Sequence, residues 1–500
     1  MNILTKSSKF LAMSVALAVA LVAGIALVEI GGDSTSGENA GNSGSLAKAA
    51  APSSSGGPYR TRPDLRPPKM TIKQLTPGAT DQKIFVGSKV SGAAIYDGEG
   101  EPVWFLPSVS MDFRTQTYRG KPVLTWFQAP TKGSGLKRNA YKIANRNYRV
   151  IKKVYPAHGH GADSHEFRLT RRNTAFVTAY SSTRANLSSI GGPSDGPVSE
   201  SVAQEVDVKT GRLIWEWHSL NHVPIRDTFV NKSRRPGEPI DYFHINSVSG
   251  TPDGNILISG RGTNAVYKVS RKTGRIIWTL GGKSSDFNMG KEAVFRQQHD
   301  ARLISGGRVS LFDNTTSPTT TRKPREQSRA LVLKLNHRKN TATVDHEFYN
   351  PAKPLSTQQA NVQALNNGNF FVGWGGVPLI SEHRPDGKIV FDAKLEGINS
   401  FYRAYRQKWS GKAPGRVALV AQGVGPDKTK LWISWNGDSS VRDWQVYAGK
   451  GRNSLRRAGA RARDGFETVT AIPRSAKIIR VKGLNAKGKA IGSSVPVKVR

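Results

Sequence analysis

Three of the ten histidines in this 500-residue sequence, His165, His244 and His299, occur at one position of an internal repeat. An imidazole can donate a hydrogen bond, exchange a proton near neutral pH and, when neutral, attack an electrophile. The repeat is expected to place Arg261 beside them. Imidazole and guanidinium donors that converge on one pocket suit a tetrahedral anion, such as a sulfate or phosphate group. These residue types therefore predict a site that binds such a group and can attack it.

The argument for a single site depends on the register of β-hairpins, in which opposed residues have a constant index sum. If the first two strands of each repeat unit pair in this way, residues of both strands meet at one mouth of the fold, with opposed Cβ atoms about 5 Å apart. The opposed pairs are His244 with Arg261, His299 with Asn314, His165 with Tyr180 and, in the sixth unit, Ala360 with Gly375. Tyr180, Asn246 and Asn314 are predicted to bind substrate beside the histidines.

Two other interpretations of the histidines are open. A single histidine at such a position would more often be a hydrogen-bonded polar residue in the wall, but three at one phase of a repeat favour a site. Three histidines can also hold zinc. The Arg261 cation aimed at the same spot opposes a metal ion, and Asp300 and Asp313 are the nearest carboxylates in sequence. We predict neither a metal nor a cofactor.

The elements that must position these residues come from the repeat itself, which extends from about residue 70 to 400. The unit His244–Gly282 has the pattern of four short strands, separated by turns such as Thr-Pro-Asp-Gly and Arg-Lys-Thr-Gly. Six such units follow one another. Radial closure of four-stranded sheets is typical of a β-propeller, so the sequence predicts an all-β protein with a six-bladed propeller over residues 70–410. The inserts Ser182–Ala203 and His218–Tyr242 are predicted to be rim loops.

Residues 411–500 depart from the repeat, and their strands resemble those of a fibronectin type III or immunoglobulin-like β-sandwich. This predicted domain carries 19 basic and 5 acidic residues, a net +14 within the +38 of the whole chain. Such a charge indicates an anionic partner. The sequence has no cysteine, which excludes disulfides, thiolate nucleophiles and cysteine-ligated metals.

The N-terminus predicts export. Lys6 and Lys9 precede an uncharged run, Phe10 to Val28, that is rich in Ala, Leu and Val. This pattern is typical of a signal peptide or, if it is not cleaved, of a membrane anchor, and both interpretations of residues 1–30 stay open. Residues 31–69 are rich in Gly, Ser and Pro and are predicted to be a disordered linker. Export argues against nucleic acid as the anionic partner and restricts membrane contact to the N-terminal segment.

Several motifs together resemble the aryl sulfotransferase family that works without the nucleotide sulfate donor PAPS. The resemblance covers roughly Pro77 to Trp409. It is carried by "DSHEFRLT" (Asp163–Thr170), "DYFHINSV" (Asp241–Val248), "FRQQHDARL" (Phe295–Leu303) and "SFYRAYR" (Ser400–Arg406). The last segment would close the propeller. The best-known members carry a β-sandwich before the propeller and a pair of cysteines, whereas here the predicted sandwich follows and cysteine is absent.

The resemblance implies transfer of a sulfuryl group from an aryl sulfate donor to a phenolic acceptor in two steps. His299 would be the nucleophile and form a transient sulfohistidine, while His165, His244 and Arg261 would bind the sulfuryl group. Arg261 would also lower the pKa of the neighbouring histidines and keep His299 neutral. Either His165 or His244 would protonate the leaving phenolate.

Two competing functions are left open by the sequence. A non-catalytic envelope protein would use residues 411–500 to bind an anionic cell-surface polymer and the histidine pocket to bind an anionic ligand. A hydrolase of sulfate or phosphate esters would use the same histidines but transfer the group to water. Transfer of the sulfuryl group from an aryl sulfate to a phenol would distinguish a sulfotransferase from the envelope protein and from the hydrolase.

Overall fold

The computed structural model describes residues 59–130, 136–230, 237–315 and 327–500. Within these ranges the chain forms 34 β-strands and six 3-10 turns and no α-helix, which confirms the all-β prediction. The strands build many small antiparallel sheets. None of the described segments contains a helix long and apolar enough to cross a membrane. The predicted signal peptide or anchor, residues 1–30, lies outside the described residues.

Six small sheets occupy the chain from residue 69 to residue 407, and each has four antiparallel strands in consecutive hydrogen-bonding order. Sheet 1 contains Arg403–Gln407, Lys83–Ser88, Gly92–Tyr96 and Pro102–Leu106. Sheet 2 contains Met111–Tyr118, Lys121–Gln128, Ala140–Ala144 and Val150–Val154. Sheet 3 contains Phe167–Leu169, Thr174–Ala185, Gly196–Asp207 and Leu213–His218.

The remaining three of these sheets follow in the same way, and two of them gain a fifth strand. Sheet 4 contains Ile245–Gly250, Ile256–Gly260, Ala265–Val269 and Ile276–Gly281. Sheet 5 contains His299–Ile304, Arg308–Asp313, Arg329–Asn336 and Thr341–Phe348, with Asn288–Met289 added in parallel. Sheet 6 contains Asn361–Ala364, Phe370–Gly373, Leu379–His383 and Ile389–Glu396, with Lys69–Leu75 added antiparallel. The 3-10 turns are Ser188–Ile190, Ser219–Asn221, Ile225–Asp227, Lys291–Ala293, Ser305–Gly307 and Arg452–Ser454.

Sheet 4 illustrates why these residues form strands and turns. Its first hairpin closes at the predicted Thr-Pro-Asp-Gly turn, where Gly254 has a φ of +81° and donates its N–H to the Thr251 carbonyl at 3.0 Å. Glycine adopts this left-handed backbone without steric cost. Nearly all strand residues of the sheet are buried, because its two faces pack against sheets 3 and 5. On the first face, Phe176 of sheet 3 packs with Ile245 and Ile258.

The first strand in each sheet's hydrogen-bonding order is here called its inner strand. The inner strands are Arg403–Gln407, Met111–Tyr118, Phe167–Leu169, Ile245–Gly250, His299–Ile304 and Asn361–Ala364. Most of them contact the inner strand of the next sheet directly. The inner strand of sheet 1 comes from the end of the repeat and pairs with Lys83–Ser88 from its beginning. Through this pairing, the segment "SFYRAYR" joins the end of the repeat to its beginning.

Asparagine and glutamine side chains supply hydrogen bonds between inner strands of neighbouring sheets. Asn361 Nδ2 donates to the Ala404 carbonyl at 2.8 Å, and Asn361 Oδ1 accepts from the Ala404 N–H at 2.9 Å. The side chain therefore takes the place of a backbone partner, and it is itself fully buried. The same exchange joins Gln363 to Arg406, Gln407 to Thr115, and Gln116 to Phe167 and Leu169.

The register of sheets 4 and 5 confirms one predicted pair of opposed residues and corrects another. The Arg261 N–H donates to the His244 carbonyl at 2.9 Å, as expected for residues opposite each other. His299, however, lies opposite Phe312 rather than Asn314. The prediction fails for two reasons. The hairpin pairs one residue out of the predicted register, with Arg302 opposite Ser310, and the pairing shifts by a further residue between His299 and Arg302.

In sheet 3 the predicted register is displaced by one residue. Phe167 lies opposite Val177, so His165 and Tyr180 do not form an opposed pair, and His165 precedes the strand. Sheet 6 shows the same displacement. The predicted rim loop Ser182–Ala203 is also corrected, because the second and third strands of sheet 3 continue as one long hairpin through most of it.

Two further antiparallel sheets follow the repeat. Sheet 7 contains Ala418–Val424, Lys428–Ser434 and Glu467–Pro473. Sheet 8 contains Val441–Gly449, Arg456–Ala462, Ile478–Asn485, Ala490–Ser493 and Val497–Lys498. Apolar side chains of both sheets, among them Leu431, Trp444 and Ile479, share one core.

The segment that precedes sheet 6's added strand contacts this C-terminal region. The ring centroids of Tyr59 and Phe466 are 4.5 Å apart. The Thr61 N–H and hydroxyl donate to Glu467 Oε1 at 2.7 and 2.5 Å. The predicted disordered linker 31–69 is therefore wrong from residue 59 onward, and its earlier residues lie outside the described ranges.

We predict that Asn361→Leu destabilises the protein by about 2–4 kcal/mol, because it leaves one buried N–H and one buried C=O of Ala404 without partners. Denaturant unfolding followed by tryptophan fluorescence measures the loss. Asn366→Leu, at an exposed turn of the same sheet, is the matched control and should change the free energy of unfolding by less than about 0.5 kcal/mol. Equal stability of the two variants would contradict the role of the amide bridge.

Candidate active site

The three predicted histidines lie where inner strands begin. His165 comes two residues before the inner strand of sheet 3, His244 one residue before that of sheet 4, and His299 is the first residue of that of sheet 5. Their exposed fractions are 5%, 7% and 2%. The inner strands thus bring the three imidazoles to the same end of the sheets in a buried setting.

His165 and His244 are direct neighbours. Their ring centroids are 5.1 Å apart and their planes are nearly perpendicular, at 79°. The ring of Tyr180 lies 6.4 Å from His165 and 6.3 Å from His244. Tyr402, just before the closing strand, lies 5.9 Å from His165 and donates its hydroxyl to the His165 carbonyl at 2.9 Å. Three predicted site residues are therefore together, with a tyrosine that the sequence analysis did not identify.

An aspartate holds the Nδ1 atom of each of these two imidazoles. The Asp163 carboxylate oxygens lie 2.8 and 3.0 Å from His165 Nδ1, and Asp241 Oδ2 lies 2.5 Å from His244 Nδ1. Burial raises the pKa of Asp163, but the charge and hydrogen bonds of His165 and a hydrogen bond from Thr178 outweigh it, so the pKa falls below its ordinary value. With Nδ1 held by a carboxylate, each ring would exchange a proton with a substrate through Nε2.

His299 has a different environment. Its Nδ1 faces two acceptors, Asn314 Oδ1 at 2.8 Å and the Gln297 carbonyl at 3.0 Å. Because both partners accept, Nδ1 carries the hydrogen and Nε2 has the lone pair of a neutral imidazole. That lone pair accepts from the Gln359 N–H at 3.2 Å. The ring is therefore fixed as the tautomer whose Nε2 can act as a nucleophile.

The electrostatics of the pocket keep His299 uncharged. Burial first, and then the charge of Arg261, lower the pKa of His299 well below its ordinary value. A lowered pKa means that the ring stays neutral as the pH falls through the range in which an ordinary histidine would be protonated. The sequence analysis assigned this effect to Arg261, whereas burial is the larger cause.

Arg261 reaches the segment that carries His299. Its Nη2 donates to Gln297 Oε1 at 3.1 Å, and the Thr357 carbonyl lies at 3.5 Å. Arg261 is half-buried, and its backbone is hydrogen-bonded to His244. The guanidinium therefore lies between the elements that carry two of the histidines, as the sequence predicted.

Two predicted substrate ligands have other roles in this structure. Besides accepting from His299, Asn314 donates from Nδ2 to the Ser356 carbonyl at 2.7 Å. Asn246 donates from Nδ2 to the Gln298 carbonyl at 2.6 Å. Both residues are fully buried. Their donor groups are used inside the protein, so we assign them to positioning His299 and its strand rather than to binding substrate.

Several residues of the pocket were not identified from the sequence. They are Asp163, Asp241, Gln297, Gln359 and Tyr402. A signal for the two aspartates was present, since each precedes its histidine by two or three residues in a quoted motif. No such signal exists for Gln359, because it acts through its backbone. Among the residues that the structure describes, no group of three or more His, Asp or Glu side chains is arranged to hold a metal ion.

A family model described as Arylsulfotransferase (ASST) matches residues 114–396, more than half of the chain. The match includes all three histidines and Arg261. No curated protein matches the chain significantly.

Solved structures give more distant similarities. A protein of unknown function from Bacteroides caccae is 14% identical, covers 65% of this chain and 98% of its own, and has a TM-score of 0.39. A catalytically inactive virginiamycin B lyase from Staphylococcus aureus is 10% identical, covers 83% of this chain and 96% of its own, and has a TM-score of 0.32.

We predict that Arg261→Met raises the pKa of His299 but leaves it below the ordinary histidine value, because burial is the larger cause and persists. The measurement is a pH titration of the ring nitrogens by NMR of nitrogen-15-labelled histidine. Arg275→Met, which removes an exposed arginine of the same sheet, should leave the titration unchanged. A return of His299 to its ordinary pKa in Arg261→Met would show that charge, not burial, dominates.

Proposed function

The chain belongs to the arylsulfotransferase family, and on this premise we propose that it transfers a sulfuryl group from an aryl sulfate ester to a phenolic acceptor through a sulfohistidine at His299. The observation that carries the proposal is the buried, neutral His299 with its hydrogen on Nδ1 and its lone pair on Nε2. It lies in a pocket with two aspartate-held histidines and Arg261. A neutral nucleophile beside cationic donors suits attack on an anionic sulfate ester.

In the first step, Nε2 of His299 forms a bond to sulfur while the bond from sulfur to the aryl oxygen breaks. The leaving phenolate takes a proton from Nε2 of His165 or His244, whose imidazolium is stabilised by its aspartate. Arg261 and the second histidine bind the sulfuryl oxygens, which carry the charge of a loose transition state. As sulfur approaches, the hydrogen bond from the Gln359 N–H to His299 Nε2 breaks. The N–H then lies beside the sulfuryl oxygens.

In the second step the acceptor phenol loses its proton to the histidine that protonated the leaving group. Its oxygen bonds to sulfur, and the bond from sulfur to His299 Nε2 breaks. The enzyme returns to its starting protonation state without a metal or another cofactor. Transfer to water by the same route is the hydrolase alternative, which the choice of acceptor distinguishes.

We also propose that sheets 1 to 6 are the blades of a six-bladed β-propeller over residues 70–410. The closing pair of Arg403–Gln407 with Lys83–Ser88 and the contacts between inner strands support this arrangement. Sheets 7 and 8, which share a core, would form the basic β-sandwich of residues 411–500. Export by residues 1–30, as a cleaved signal or a retained anchor, and binding of an anionic cell-surface polymer by the sandwich remain predictions from the sequence.

We predict that the protein releases 4-nitrophenol from 4-nitrophenyl sulfate when a phenol is supplied, with ping-pong kinetics. His299→Ala should lower kcat by about a thousand-fold or more, because it removes the imidazole that we propose as carrier of the sulfuryl group. Quenched reactions should leave a sulfate-mass adduct on the His299 peptide. His337→Ala removes an exposed histidine of sheet 5 and should retain full activity.

Full turnover by His299→Ala would refute the nucleophile. No turnover of any aryl sulfate, together with salt-sensitive binding of the full chain to cell walls, would instead select the non-catalytic envelope protein.

The proton donor can be identified by comparing how much activity each aspartate variant loses on substrates with different leaving groups. Asp163→Asn and Asp241→Asn each remove the carboxylate that faces Nδ1 of one histidine, and we expect the variant that affects the donor to lose about ten- to a hundred-fold in kcat. The loss should be larger for phenyl sulfate than for 4-nitrophenyl sulfate, because the more basic phenolate needs a proton more. Uniform losses for both substrates in both variants would mean that the aspartates only support the fold.

A further inference from the structure

A second charged layer lies one to three residues beyond the histidines along the inner strands. The inner-strand segments of sheets 2, 3 and 5 repeat the pattern acid, any residue, arginine. The pairs are Asp112 with Arg114, Glu166 with Arg168, and Asp300 with Arg302. Arg403, from the inner strand of sheet 1, adds a fourth guanidinium to three carboxylates.

Glu166 joins the arginines of sheets 2 and 5. Its Oε1 lies 2.6 Å from Arg114 Nη2, and its Oε2 lies 2.6 Å from Arg302 Nη2. All three side chains are at most about one-tenth exposed. Side chains from three different sheets therefore meet within this layer.

The other two carboxylates are also paired within the layer. Asp112 lies 3.0 Å from Arg114 and 3.1 Å from Arg403. Asp300 pairs with Arg302 and lies 3.5 Å from Arg403. Glu166 Oε2 also lies 3.6 Å from Arg403 Nη1. Each carboxylate is thus shared between two or three arginines, and these ion pairs involve Arg114, Arg302 and Arg403 only.

Arg168 is the remaining guanidinium. It forms no hydrogen bond or ion pair with any residue in the described parts of the chain. It is half-buried. Burial, and then the charges of Arg302 and Arg114, lower the pKa of Arg168 to about 10. Arg114 Nη2 donates to the carbonyl of Phe167, the residue just before Arg168, at 2.9 Å, so the Arg114 guanidinium reaches the strand that carries Arg168.

The layer also has more buried donors than acceptors. Arg114 Nε, Arg302 Nη1 and Arg403 Nε are buried without a hydrogen-bond partner among the described residues. These side chains are 4%, 9% and 0% exposed. A buried charge without compensation and unpaired buried N–H groups both cost free energy. One bound anion would supply the missing charge and accept from these donors.

We propose that the layer binds one small tetrahedral oxyanion, of which sulfate is the type, through Arg168 together with Arg114 and Arg302. Planar guanidinium forks match two oxygens of such an anion at once, and the three carboxylates are already engaged by the other guanidinium groups. This site is separate from the histidine pocket and does not depend on the transferase reaction. Because Glu166 follows His165 and Asp300 follows His299 in the chain, occupancy would stabilise the strands that begin with those histidines.

Crystals of the full chain soaked in sodium selenate test the site directly. Selenium should give an anomalous peak within hydrogen-bond distance of Arg168 and of Arg114 or Arg302, separate from any peak at His299. A peak that appears only at molar selenate, or no peak at Arg168, would overturn the proposal. A parallel bromide soak that labels the site when selenate does not would also overturn it, by assigning the layer to a halide.

Thermal unfolding in a sulfate series at constant ionic strength provides a second test with matched variants. Arg168→Gln and Arg171→Gln remove the same charge three residues apart, but Arg171 is exposed and outside the layer. Wild type and Arg171→Gln should show a saturable rise of Tm, whereas Arg168→Gln should need at least tenfold more sulfate. Both variants retain the histidine pocket, so sulfate bound there affects them equally. Identical curves for the two variants would refute the site, and if Arg168→Gln does not fold, the selenate soak decides.

Discussion

The inner strands of neighbouring sheets contact one another but do not pair by backbone hydrogen bonds. Other hydrogen bonds must therefore join them, and the arrangement of the central residues depends on this constraint. Buried N–H and C=O groups need partners. Here asparagine and glutamine side chains supply them, as Asn361 does for both backbone groups of Ala404. Arginine–carboxylate contacts such as Glu166 with Arg114 and Arg302 add a second set of connections. The contacts of Glu166 reach the segments that carry His165 and His299, since Glu166 follows His165 and Arg302 lies in the strand that begins at His299.

The same rigid frame gives chemically identical side chains different properties. His165 and His244 each face a carboxylate at Nδ1, which orients the ring and leaves Nε2 for exchange with a substrate. His299 faces two neutral acceptors and is buried near Arg261, which favours the neutral ring. The transfer that we propose needs one nucleophile and one proton donor, and these two kinds of surroundings suit the two roles.

Much of the fold and part of the site could be predicted from the sequence. Turns and alternating strands identified the four-stranded units, and index sums placed Arg261 beside His244 correctly. The sums failed for His299 because the hairpin pairs one residue out of the predicted register and the pairing shifts again just after His299, where Asp300 has a φ of +56°. Neither the displacement nor the irregularity leaves a trace in hydropathy. Asn314 still reaches His299, but through its side chain rather than by opposition.

The sixth unit shows what the sequence alone could not reveal. It carries Ala360 where three other units have histidine. Gln359 and Ala360 both have left-handed φ angles, of 65° and 86°, a conformation that costs free energy in residues other than glycine and persists only when surrounding contacts enforce it. Their backbone directs the Gln359 N–H at His299 Nε2. The sixth unit, which has no histidine at this position, thus contributes a backbone N–H that faces the proposed nucleophile, His299 Nε2. The small side chain of Ala360 allows the backbone of this unit to come so close to His299.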